Sequence, residues 1–86
     1  MIGQFVTSKA GHDKAQCYVI IREEGDFVYL CDGRLKKLEA PKKKRRKHIQ
    51  VTNRTVKEEL LRKLQKELPV TDEEIKYEIK QYMKQV

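Results

Sequence analysis

Apolar positions along the chain change their period near Asn53. Before it they fall in short runs broken by turn residues; after it they recur at helical spacing. The first run, residues 3–8, holds Phe5, Val6 and Thr7 and stops at the turn-rich stretch Lys9-Ala10-Gly11-His12-Asp13. Residues 16–22 are rich in Val, Ile and Tyr. Glu24-Gly25-Asp26 then supplies a tight turn into residues 27–31, so these two runs predict a β-hairpin. Asp32-Gly33 is a further turn signal, because glycine tolerates positive φ. Residues 35–39 are expected as a short fourth strand, Pro41 and the cations after it as a loop, and residues 49–52 as a closing strand. Five short strands before Asn53 predict a small, strongly bent barrel, since closure removes sticky edges.

In the second half, Val56, Leu60, Leu61, Leu64 and Leu68 lie on one helical stripe. Thr55 and Glu58 have the spacing of a capping box, which places the helix start near Thr55, and Pro69 ends the helix. Thr71 and Glu74 repeat the box, with Val70 and Ile75 at hydrophobic-staple positions. Ile75, Ile79, Tyr82 and Val86 form a second stripe. The expected architecture is therefore mainly β with a helical tail. Residues 1–53 form the barrel, and residues 54–86 form an extension of two short amphipathic α-helices. The stripes pack on each other or on the barrel, or else they dock a partner; the pattern leaves both open.

Length limits what else the chain holds. Its 86 residues make one small domain with a thin core. No apolar run approaches the roughly 18 residues of a membrane span, and residues 1–6 lack the basic and apolar regions of a signal peptide, so a cytoplasmic location is expected. Cys17 and Cys31 are too far apart for a Cys-x-x-Cys pair, and with His12 and His48 they match no zinc template. They read as small apolar strand residues, and no metal is expected. Ser8, His12 and Asp13 share one short turn, where triad geometry is rarely reachable. The four glycines are scattered rather than gathered into a phosphate-cradling loop. Neither an enzyme, a cofactor nor a small-molecule substrate is expected.

Charge points elsewhere. The chain carries a formal +7, but residues 34–47 alone hold nine Lys/Arg against one acid, Glu39. The segments on either side are nearly balanced. Lys42, Lys43, Lys44, Arg45, Arg46 and Lys47 are consecutive, and His48 extends the run. Each cation that neutralises a phosphate releases a condensed counterion, so such a run binds nucleic acid without reading sequence. The alternatives are a solvated loop or a localisation signal. Lys9 and Lys14 bracket Gly11 in the first turn, and Arg34, Lys36 and Lys37 lead into the main run. Gln50, Thr52 and Asn53 add hydrogen-bonding groups after it. In a small barrel the first turn and the loop before the last strand are expected to share one rim. Tyr18, Phe27 and Tyr29 are candidates for base stacking if they face outward. No helix-turn-helix or basic-zipper pattern is present, so structured RNA recognised by shape and backbone is the expected ligand.

The residues Gly3-Gln4-Phe5-Val6, Ser8-Lys9-Ala10-Gly11-His12-Asp13-Lys14 and Tyr18-Val19-Ile20 resemble the KOW motif, a strand, glycine-centred turn and strand within an SH3-like β-barrel. Asp32-Gly33-Arg34-Leu35, Leu38-Glu39-Ala40-Pro41-Lys42-Lys43-Lys44, Lys47-His48-Ile49-Gln50 and Thr52-Asn53 extend the likeness to small bacterial KOW-domain RNA-binding proteins. These are themselves similar to a KOW-type large-subunit ribosomal protein of archaea and eukaryotes. The resemblance covers about residues 2–53. It implies RNA binding, with ribosomal RNA of the large subunit as the target and ribosomal or other translation proteins as neighbours. Gly11 corresponds to the motif's turn glycine, while Ala15 stands where many such turns carry a second glycine. The competing reading is a protein-interaction adaptor in translation or transcription that docks through its helices.

Overall fold

Burial on both faces of the central strands decides the architecture. The computed structural model describes residues 1–8 and 16–85. It has five strands, β1 (Gln4–Ser8), β2 (Cys17–Glu24), β3 (Phe27–Cys31), β4 (Lys42–Arg45) and β5 (Ile49–Thr55), with a 3₁₀ turn at Arg46–His48. Two helices follow, α1 (Glu58–Gln65) and α2 (Asp72–Lys84). All neighbouring strands are antiparallel, in the order β4-β3-β2-β1-β5. β2 and β3 are joined at Glu24 and Phe27 by a two-residue turn with Gly25 at φ 59 in its first central position, as in a II′ hairpin.

Each face of this sheet carries a buried cluster. One carries Val6, Tyr18, Ile20, Val28, Leu30 and Ile49, all strand residues, with Val51 packed against them. Because no helix residue joins this cluster, the sheet itself covers it by curling. Breaks in register between Gln4 and Val6 and between Ile20 and Arg22 supply the local bend. β4 and β5 remain the two ends of the ladder, so the sheet is barrel-like but not closed. The other face carries Phe5, Cys17, Val19 and Cys31, which pack with Val56, Leu60, Leu64 and Ile75. Tyr82 of α2 stacks on Phe5 with ring centroids 4.4 Å apart and planes within 8°. Most of both helical stripes therefore completes the sheet's core; Leu68 stays exposed, and Val86 lies outside the described residues. No helix among the described residues is long and apolar enough to cross a membrane.

Thr71 caps α2 as its spacing predicts: the Glu74 N–H donates to Thr71 Oγ1 at 3.2 Å. Asp72, Glu73 and Glu74 place three carboxylates on the positive end of the helix dipole. The first helix departs from expectation. Thr55 closes β5, and α1 starts after Lys57, which offers no side-chain cap. Glu78 of α2, buried in the seam, instead accepts the Lys57 N–H at 3.0 Å. α1 ends before Pro69 in a Schellman turn: Leu68 N–H donates to the Lys63 carbonyl at 2.9 Å, with Glu67 at φ 55.

The fourth strand also moves. Residues 35–39 form no strand, and their connection is held by carboxylates. Asp32 Oδ1 accepts the N–H groups of Arg34 and Lys36, both at 2.9 Å, and Asp72 Oδ1 accepts that of Leu38 at 2.8 Å. Gly33, at φ 78, lies so close to α2 that an added Cβ would overlap the Asp72 carbonyl. The cationic run, expected as a loop, pairs with β3 from Lys42 to Arg45 instead. Val28 and Leu30 need a cover at that edge, and an edge strand tolerates lysine better than an interior one.

Two tests follow from the shared seam. Ile75, fully buried, should cost about 2–5 kcal/mol when replaced by alanine, measured by urea unfolding. That is a large share of the roughly 4–13 kcal/mol available to a domain of this size. A chain ending at Thr55 should show no cooperative transition, because Phe5, Val19 and Cys31 would lose their cover.

Candidate nucleic-acid interface

Pairing with β3 sorts the cations of β4 by face. The register sets Phe27 opposite Arg45, Val28 opposite Lys44, Tyr29 opposite Lys43 and Leu30 opposite Lys42. With a side-chain period of two, Lys42 and Lys44 stand on the face of Val28 and Leu30. Both are half-buried, their stems lying along the rim of the inner cluster, and Lys42 Nζ sits 5.5 Å from the centroid of Tyr18. Lys43 and Arg45 are exposed on the opposite face, beside Phe27 and Tyr29.

That outer face combines cations with rings. Lys43 Nζ lies 4.4 Å from the Phe27 centroid and 5.9 Å from that of Tyr29. Arg45 sits 5.0 Å from Phe27, and Arg22 of β2 sits 5.1 Å from Tyr29. Each such exposed contact is worth about 0.5–1 kcal/mol, enough to orient a side chain and too little to lock it. Glu24 edges the patch, pairing with Arg22 at 2.9 Å and accepting from the Tyr29 hydroxyl at 3.4 Å. Phe27 and Tyr29 are half-exposed and belong to neither core cluster.

Arg46 behaves differently from its neighbours. Its Nε donates to the Gly25 carbonyl at 2.8 Å, its backbone N–H to the Asp26 carbonyl at 2.9 Å, and its guanidinium pairs with Glu23 at 2.9 Å. It fastens the 3₁₀ turn to the β2–β3 hairpin. Lys47 and His48 are exposed on that turn, and a depression of about 250 Å³ is lined by Asp26, Arg45, Arg46 and Lys47. Arg34, Lys36 and Lys37 are exposed on the connection that enters β4 at Lys42. Candidate cations thus run the length of one sheet edge, from that connection to the turn. Lys9, Gly11 and Lys14, and with them the expected shared rim, lie outside the described residues. Of the three candidate stacking rings, Tyr18 is buried in the inner cluster and faces away from the other two.

Sequence reasoning did not single out Arg22, an isolated cation on a strand. Its signal was the hairpin itself, which pairs Arg22 with Tyr29. No family model matches the chain, and no curated protein matches it. Among the described residues, no group of three or more His, Cys, Asp or Glu side chains is placed to hold a metal ion. Cys17 and Cys31 are free and buried. Burial pushes the Cys17 thiol from 9.0 up to about 11. Burial pushes Cys31 up to about 12, with the Asp72 and Asp32 carboxylates adding to the rise and the Gly33 amide opposing it.

Arg46→Ala should therefore lower stability by about 1–2 kcal/mol in thermal or urea unfolding, while Lys43→Ala, which loses only exposed ring contacts, should cost about 1 kcal/mol or less. Both thiols should resist alkylation at pH 8 in the folded chain and react on denaturation. Because the folded thiols hold their protons more tightly than unfolded ones, their contribution to stability is whole below pH 9. It is lost as pH rises through about 11 and about 12, which a series of unfolding curves would register.

Proposed function

We propose that this chain is a non-enzymatic RNA-binding protein with an SH3-like, KOW-type barrel, and that it docks on structured RNA through the cations of its β4 edge. Ribosomal RNA of the large subunit is the target that the KOW resemblance implies. The observation that carries the reading is the placement of the run. Lys42, Lys43, Lys44 and Arg45 are spread along an edge strand on both of its faces, rather than bundled in one loop. Consecutive phosphates of a nucleic-acid backbone meet such a row one cation at a time, and each neutralisation releases counterions. Arg22, Arg34, Lys36, Lys37, Lys47 and His48 extend it, and Arg46 supports it from behind. Five short antiparallel strands in a curled sheet are compatible with an SH3-like barrel. The adaptor reading has less to stand on, because Val56, Leu60, Leu64, Ile75, Ile79 and Tyr82 of the helical stripes pack against the sheet.

Replacing Lys42, Lys43, Lys44, Arg45 and Lys47 by glutamine while keeping Arg46 tests the reading. RNA affinity should fall to a similar extent across unrelated RNA sequences. The slope of log affinity against log salt should flatten by about one unit per lost phosphate contact. An unchanged slope would remove these residues from the interface. Co-sedimentation of the unaltered chain with large ribosomal subunits at moderate salt would test the target.

A further inference from the structure

Resting on the RNA-binding reading, we infer that Phe27 and Tyr29 form a stacking platform for unpaired nucleobases, so that the β4 edge selects single-stranded segments within a folded RNA over continuous duplex. Phosphate contacts alone give no such choice, because both forms of RNA present phosphates.

Three observations carry the inference. First, the rings occupy alternate positions of β3 and so share a face, the one that carries Cys31 further along the strand. Cys31 is covered by the helices, whereas Phe27 and Tyr29 are outside that cluster and half-exposed. Second, the rings are ringed by cations from the strands on either side, Arg22 from β2 and Lys43 and Arg45 from β4. These are flexible, exposed side chains. A base that takes the ring face displaces an ammonium or guanidinium only as far as the adjoining phosphate, while a guanidinium plane can also cover the base from above. Third, spacing sets the form of RNA. Residues two apart on a strand are separated by about 6.6–6.8 Å, about twice the roughly 3.4 Å per nucleotide along one strand of a B-form duplex. Two successive bases resting on the two rings are therefore splayed apart, which bases inside a duplex are not. An unstacked bulge, loop or junction strand meets the geometry.

Aromatics on a sheet often serve as supporting surface, so the test separates stacking from packing and from charge. Fluorescence anisotropy would compare an unstructured dodecamer RNA with the same strand annealed to its complement, using the full chain at fixed salt. Phe27→Leu and Tyr29→Leu keep apolar cover on the strand while removing the ring. The unaltered chain should prefer the single strand. Each substitution should weaken single-strand binding roughly fivefold or more, narrowing that preference while the salt slope persists. Equal loss on both RNAs, or no loss on either, would overturn the platform and leave the cationic edge standing. Failure of the unaltered chain to bind either RNA would instead overturn the RNA-binding reading, and the platform with it. Photocrosslinking of the unaltered chain to the same single strand carrying 5-iodouridine is independent of how the variants fold. An adduct on the peptide containing Phe27 and Tyr29 is expected, and adducts confined to other peptides would overturn the platform.

Discussion

The seam in which Val56, Leu60, Leu64 and Ile75 meet Phe5, Cys17, Val19 and Cys31 carries much more than helix packing. A sheet of short strands cannot curl tightly enough to bury one face without presenting the other, and the presented face here is apolar. Two helices of 8 and 13 residues close it. Once they are in place, their termini become fixed points for the rest of the chain. Glu78 holds the start of α1, and Asp72 takes the Leu38 amide in the connection that leads to β4. Gly33 lets that connection lie directly on α2. The position of the cationic edge is thus set partly by the helices, although no helix residue is needed in the edge itself.

What could be read from the residues depended on whether the deciding interaction was local. The β2–β3 hairpin and the Thr71 cap rest on contacts a few residues apart, and both were legible. The Thr55 box was equally clear by spacing. Yet Thr55 is taken by β5, and a carboxylate 21 positions beyond Lys57 does the capping. The fourth strand failed for the same reason. Lys42 to Arg45 have poor strand propensity, and only the need of Val28 and Leu30 for an edge partner puts them in a ladder. Within the run, Arg46 could not be told from Arg45, because its Glu23 and Gly25 partners come from the far hairpin. The outer patch was half visible: Phe27 and Tyr29 share a parity, but how far along their shared face the helices reach is a tertiary fact.

A row of lysines on an edge strand has a purely structural use, since charge there discourages pairing with another chain. The proposed RNA contact gives the extent of the run a second use. Four consecutive residues here are cationic, with more cations on the connection before and the turn after. Same-face neighbours on β4 stand about 6.6–6.8 Å apart, inside the roughly 8–10 Å over which salt screens charge. Lys43 and Arg45 therefore repel one another, as do Lys42 and Lys44. The nearby ring faces and the carboxylates of Glu23 and Glu24, already engaged by Arg46 and Arg22, relieve only part of this. An external polyanion would relieve the remaining repulsion. The RNA backbone of the proposed function would supply that compensation, with Phe27 and Tyr29 beside the cations.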